Sequence, residues 1–307
     1  MEFDLSKLSS HESYSLLTNL IAPRPIALVS TIDAEGNSNL SPFSFFNIFS
    51  SNPPILIFSP LRRIKNNTTK NTLDNVIAHP EAVINIVTKD IVGQSSLASS
   101  DYDQGVDEFI KAGFIKQSAR VVKPPMVLEA KAKLECRVIE IKPLGHEGGA
   151  GNLVICEVVY MHISDIFFEN GKLDPLKLNL VARLGGSWYS EINAGNLFQL
   201  PKPAKEPGMG MDSLFGRLKN RHHFNQNEQA ALAGVPAIPE RRGDFFDEKV
   251  DAIETYVKGT RKTELLIAYI RELLAEQNTD SAWQVLLTLE PHLCKETSPH
   301  ENMALNL

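Results

Sequence analysis

Cysteine is scarce in this chain of 307 residues: Cys136, Cys156 and Cys294 form an odd, widely spaced set without a CxxC pair. That argues against a disulfide framework and a thiolate zinc site, and it fits buried thiols in a reducing compartment. Long apolar runs are missing too, since none approaches the ~18 residues of a membrane span. The opening stretch, MEFDLSKLSSHESYS, has neither the basic nor the apolar region of a signal peptide, so a soluble, cytoplasmic protein is the expectation. Positive charge is not in excess: 31 Lys and Arg against 37 Asp and Glu leave a net charge of −6. Nucleic acid and anionic lipid therefore find no general attraction, and neither is expected as a partner. A GxGxxG after a strand, a Walker A loop, HExxH and GxSxG are all absent, which weighs against Rossmann, phosphotransfer and hydrolase chemistry. Of eight histidines only His222 and His223 adjoin, and neighbouring residues rarely face one metal, so no metal centre is expected.

What is present is β-structure first. PIALVST, PPILIFS and AVINIV, between Pro25 and Thr88, are short apolar blocks bounded by Pro, Gly, Asn or Asp, the pattern of strands buried on both faces. Asp33 to Asn37 supplies Gly36 for a tight turn. Ala132, Leu134, Cys136 and Val138 alternate with Lys131, Lys133, Glu135 and Arg137, which predicts an antiparallel strand with one wet face. A second long strand is predicted over Leu153 to Ile163. The glycine-rich Gly145 to Gly151 reads as the hairpin loop between them, because it leads into a strand and offers no helix N-terminus to a pyrophosphate. Helices are predicted over Asn71 to His79 and Gly105 to Ala112. Helices scattered among antiparallel strands point to a β-barrel with helices, an α+β fold, and not to a doubly wound parallel sheet.

The texture changes after Leu200 to Pro, Gly and Met, as in LPKPAKEPGMGM. An extended arm or linker with room for a short helix or two is predicted over 197–242, after a first domain of 1–196. A small C-terminal helical module of three helices is predicted over 243–307. Its stripes are Phe246, Val250, Ile253 and Val257; Leu266, Tyr269, Ile270, Leu273 and Leu274; and Ala282, Val285, Leu286 and Leu289 after a cap at Asp280.

Four stretches of the first half put hydroxyls, amides and two cations among aromatics: PRPIALVST (23–31), NLSPFSFFN (39–47), NPP (52–54) and KNT (70–72). A phosphate wants cations, hydroxyls and backbone N–H groups, and a flat ring wants an apolar slot with donors at its edge. Flavin mononucleotide (FMN) has that division. Each stretch alone also reads as ordinary structure: a strand end, a core, a solvated helix start.

In this order the motifs resemble the flavin reductase-like family of FMN-binding split barrels. The resemblance runs from about Leu20 to Tyr189, through PRPIALVST, NLSPFSFFNIFSSNPP, DEFIKAGF, KLECRV, GNLVICEVVYMHISD and VARLGGSWY. It implies that Ser30, Thr31, Asn39, Ser41 and Ser44 wall the ribityl chain and ring, with backbone near Ser44, Phe45 and Asn47 at the ring edge. It implies a phosphate site at Lys70, Asn71 and Thr72, where the family has Lys-Asp-Thr; the cation and hydroxyl match and the acid does not. Arg24 is a further candidate for a phosphate or partner-subunit contact, Arg183 for a flavin or a partner carboxylate, and His146 for the ring pocket. The resemblance also implies a homodimer, with the Phe-rich loop and RLGG at the boundary. The activity implied is that of an NAD(P)H-dependent flavin reductase, with hydride passing from NADH or NADPH to flavin N5 and onward to an acceptor such as a monooxygenase. No protein side chain need then be the catalytic acid, base or nucleophile, because the cofactor carries the electron chemistry. The alternatives are an FMN-binding electron carrier reduced by a partner, or an interaction protein whose helical part does the work.

Overall fold

The computed structural model of the protein describes residues 1–200, 206–218 and 221–289. It divides into two compact units, Met1–Phe198 and Gln199–Leu307.

The first unit is built on a seven-stranded sheet in which every neighbouring pair is antiparallel. Its strands are β1 (Ala27–Ile32), β2 (Ser38–Phe43), β3 (Phe46–Ser51), β4 (Pro54–Phe58), β5 (Glu81–Ile86), β8 (Ala132–Pro143) and β9 (Asn152–Ile163). Short ribbons fill the loops: β6 (Lys116–Gln117) with β7 (Met126–Val127), β10 (Phe168–Glu169) with β11 (Lys172–Leu173), and β12 (Val181–Arg183) with β13 (Tyr189–Glu191). The sheet order is β2-β1-β5-β8-β9-β4-β3. Its two edge strands are consecutive in the chain, with only Ser44 and Phe45 between them, so the sheet must curl until its edges meet at one end. That is a split barrel.

The apolar blocks explain the curl. Leu28 and Val29 on β1 point to opposite faces and are both fully buried. Leu28 joins Leu40 and Phe109 in one core, and Val29 joins Phe58, Ile84 and Cys156 in the other. Three helices pack on the sheet, α2 (Asn71–Ala78), α3 (Val92–Leu97) and α4 (Glu108–Ala112), while α1 (Ser10–Leu20), ahead of β1, buries only Thr18. Cys136 and Cys156 are buried free thiols, pushed up in pKa by burial; Cys294 lies outside the described residues.

Two features depart from the sequence pattern. The predicted wet face of β8 keeps Arg137 exposed and Lys131 and Lys133 half-buried, but it is covered at Glu135, where the segment carrying β6 and β7 folds over and seats Val122 and Met126 against Val83. Glu135 there is fully buried and accepts hydrogen bonds from the backbone N–H groups of Arg120 (2.8 Å), Val121 (2.6 Å) and Val122 (3.1 Å). His162 Nε2 lies 2.6 Å from the same carboxylate.

The second departure concerns the arm predicted over 197–242. Its described part supplies α5 (Gly210–Arg217) and α6 (Gln226–Ala233). Leu214, Phe224 and Leu232 share one core with Trp283, Leu266 and Ile270 of the later helices α7 (Glu248–Tyr256), α8 (Thr260–Ala275) and α9 (Thr279–Thr288). Trp283 Nε1 donates to Leu232 O at 3.1 Å. The second unit therefore has a core that the arm itself helps to build, a consequence of apolar residues too irregularly spaced to show a period. The third stripe holds, but its N-cap is Asn278, whose side chain accepts from Ser281 N–H, while Asp280 pairs with Arg242. Among the described residues no helix is long and apolar enough to cross a membrane.

Candidate anion-binding site at the start of helix α2

The segment Leu61 to Lys70 turns back on itself before α2, held by Arg63 N–H to Thr68 O at 2.8 Å and Asn67 N–H to Arg63 O at 2.9 Å. It delivers Lys70 to the N-cap of α2, where no side chain caps the first turn. Such an end leaves backbone N–H groups and the positive end of the helix dipole facing outward. Asn71 and Thr72 follow, Ser41 and Asn39 arrive from β2, and the loop after α3 brings Ser100, Asp101 and Tyr102 to the same pocket. Five of the predicted residues, Asn39, Ser41, Lys70, Asn71 and Thr72, thus meet in one place.

The cations there are poised for an anion. Arg63 is clamped by Nε to Asp101 Oδ1 at 2.7 Å and by Nη1 to Thr68 Oγ1 at 3.3 Å and to Thr69 O. Among the described residues its Nη2 makes no hydrogen bond, and neither does Lys70 Nζ. Burial lowers the pKa of the Lys70 ammonium, the Arg63 charge lowers it further, and Asp101 partly offsets both. Two mutually repelling, half-desolvated cations at an uncapped helix start are the donor set that a phosphate monoester needs. The pocket floor is a buried relay. Thr72 Oγ1 donates to Asn39 Oδ1 (2.7 Å), Asn39 Nδ2 donates to Glu108 Oε1 (2.8 Å), and Leu40 N–H donates to Glu108 Oε2 (3.0 Å). Burial raises the pKa of Glu108 against those hydrogen bonds. Thr72 is 1% exposed and spends its proton on Asn39, so its part, like that of Asn39, is to hold the pocket's shape.

Other predicted residues lie elsewhere. Ser30 Oγ donates to Pro125 O, and Thr31 Oγ1 accepts from Asn75 Nδ2 at 3.0 Å, both inside the barrel wall. Ser44 and Phe45 form the junction of β2 and β3, with Phe45 O accepting from Ser59 N–H. Asn47 is exposed and bonds its own neighbour's Ile48 N–H. Arg24 is buried and belongs to the scaffold: Nη1 donates to Thr18 O and Ile21 O, both at 2.6 Å, and Nη2 to Leu184 O at 3.0 Å. A cation on the last carbonyls of α1 is favoured by the helix dipole and by their lack of intrahelical partners. Arg183 lies over the Tyr189 ring, 4.5 Å from its centroid, and donates to Gly186 O. Gly185 of the RLGG stretch packs against α1, where a Cβ would come 2.2 Å from Asn19 Oδ1. His146 is exposed, and its carbonyl accepts from Asn67 Nδ2.

Sequence reasoning missed Arg63, Asp101, Tyr102 and Glu108. The basic run LRRIK just ahead of Lys70 was a readable signal for Arg63, and Glu108 lay in the DEFIKAGF motif without a role attached; Asp101 carried no signal, because a loop distant in sequence delivers it.

Comparison with known proteins agrees with this architecture. A family model described as "Flavin reductase like domain" matches residues 20–177. An uncharacterized protein of Aquifex aeolicus is 33% identical over 190 residues, which cover 62% of this chain and 94% of that protein. One of Halalkalibacterium halodurans is 33% identical over 205 residues, 66% of this chain and 97% of its own length. Among solved structures, nitrilotriacetate monooxygenase component B of Bacillus cereus is similar with a TM-score of 0.61 and 29% identity, covering 65% of this chain and 98% of that one. Pseudomonas fluorescens 2-nitrobenzoate 2-nitroreductase gives 0.60 and 25%, covering 68% and 100%.

Proposed function

The chain belongs to the flavin reductase-like family, and from that premise we propose that it is an FMN-dependent oxidoreductase reduced by NADH or NADPH, with the flavin phosphate held at the start of α2. The observation that carries the proposal is the pair of cationic donors without a hydrogen-bond partner among the described residues, Lys70 Nζ and Arg63 Nη2, beside the uncapped helix end. FMN, when bound, supplies the hydride acceptor. The residues of this chain do the holding: Lys70 and Arg63 neutralise the phosphate, Ser41 offers a hydroxyl, and Asn71 sits where its N–H and amide reach the same anion. Ser44, Phe45 and Asn47, at the open edge between β2 and β3, border the ring in this reading. Arg24 and Arg183 lie outside the pocket lining, committed to backbone carbonyls, and are given no phosphate contact in this reading.

The reading includes a homodimer, for which the edge strand β3 offers Ile48 and Phe49, 63% and 64% exposed. It also includes an electron acceptor. The similarity to a monooxygenase component favours handing reduced flavin to a partner oxygenase, and the similarity to a nitroreductase favours a small nitro compound as the alternative. Anaerobic mixing of the flavin-loaded protein with NADH and with NADPH tests the reading. The flavin absorbance band should bleach with at least one donor. A bound flavin that stays oxidised with both would make the protein a carrier reduced by a partner, and a protein that binds no flavin would leave the interaction role.

A further inference from the structure

The mouth of the α2 pocket is crossed by one ion pair. Arg63 comes from the turn before the helix, and Asp101 from the loop after α3. The two sides differ: the Arg63 side chain is 19% exposed and fixed by its bonds to Thr68 and Thr69, whereas that of Asp101 is 67% exposed. The Arg63 hydrogen bond keeps Asp101 below the usual carboxylate range, so it is charged at neutral pH. A ligand whose phosphate ends the molecule meets Lys70 and Arg63 Nη2 and stops. A ligand that continues into a second phosphate must lead it out past the Asp101 carboxylate. The floor offers no exit, because Asn39, Thr72 and Glu108 close it as a buried relay.

We propose that Arg63 and Asp101 set the flavin selectivity of this site, admitting a terminal phosphate monoester and turning away a pyrophosphate, so that FMN is kept in preference to flavin adenine dinucleotide (FAD). The inference rests on the flavin reading above and adds the residues that choose between flavins. Two unit charges ~6 Å apart at an effective dielectric of ~40 repel enough to change binding about tenfold, which is the scale of discrimination expected from Asp101. Arg63 contributes differently, since it attracts any phosphate and is still held by Thr68 and Thr69 when the Asp101 charge is removed.

The test is equilibrium binding of FMN, FAD and riboflavin to the flavin-free full-length protein and to Asp101→Asn and Arg63→Lys, followed by flavin fluorescence, with circular dichroism to check folding. The wild type should bind FMN at least about tenfold more tightly than FAD, and Asp101→Asn should shrink that ratio by about tenfold, chiefly through tighter FAD binding. Arg63→Lys should weaken FMN and FAD and leave riboflavin unchanged. An unchanged ratio in Asp101→Asn, or a wild type that takes FAD as readily as FMN, overturns the selectivity proposal while flavin binding stands. Loss of riboflavin along with the phosphorylated flavins makes Arg63 a structural residue and overturns its assignment. A folded wild type that binds none of the three removes the flavin reading, and this proposal with it.

Discussion

Replacing Glu135 by Gln keeps the shape of the side chain and removes its charge at a place with no solvent to compensate. The carboxylate has four donors around two oxygens: Arg120 N–H and His162 Nε2 on Oε1, and Val121 and Val122 N–H on Oε2. Gln keeps one acceptor oxygen, so two contacts are lost and an amide NH2 is turned toward a donor. Hydrogen bonds to a charged group contribute about 1.5–3 kcal/mol each, and relaxation recovers part of the loss, so destabilisation of about 3 kcal/mol is expected. For a unit of this size that is a fall in Tm of roughly 10 °C. The acid limb should change as well. Burial raises the Glu135 pKa, but the hydrogen bonds from His162 and the three amides outweigh it, and the net pKa lies below the ordinary value of a glutamate. The stabilisation is therefore complete above about pH 4.5 and lost as pH falls through the folded pKa, and Glu135→Gln should flatten the profile in that window. Hydrogen exchange at Arg120, Val121 and Val122 gives a local readout that does not depend on two-state melting. Unaltered exchange there, with stability within about 0.5 kcal/mol of wild type, would refute the claim that this carboxylate pins the segment over β8.

Arg24→Met should lower the stability of the first unit by about 2 kcal/mol, because three carbonyls at 2.6–3.0 Å lose their donor. FMN affinity should stay within about threefold in the same variant, and a loss of phosphate-dependent binding would return Arg24 to the site. A chain ending at Phe198 should fold and retain flavin, since each unit has its own core. A folded 1–198 protein without flavin would show that the second unit takes part in binding.

Much of the barrel was legible because its strands are buried on both faces and so read as unbroken apolar blocks; β1, β4 and β5 fall where PIALVST, PPILIFS and AVINIV predict. Gly36 takes φ +86° in the expected turn. Helix α1 was hidden because it buries only Thr18 and shows no apolar stripe, although its capping box, Ser9 with Glu12, is written in the sequence. The pattern on β8 holds for Lys131, Lys133 and Arg137 and departs at Glu135, to which a distant loop brings three backbone amides. The arm's share in the second unit's core was hidden for a related reason, because its apolar residues pack without a period. In the site, Lys70 to Thr72 and Asn39 to Ser41 could be read from local motifs, whereas Asp101 and Glu108 meet them only through the fold. Arg24 and Arg183 are cations that bond backbone carbonyls within this chain, partners that a sequence does not display.

The central claim is that the start of α2 holds the flavin phosphate, and the most direct test is the affinity of FMN and riboflavin for the wild type and for Lys70→Ala. Removing one of two cationic donors should weaken FMN about tenfold to hundredfold and leave riboflavin, which has no phosphate, unchanged. Equal FMN affinity in the two proteins would contradict the account and place the phosphate elsewhere.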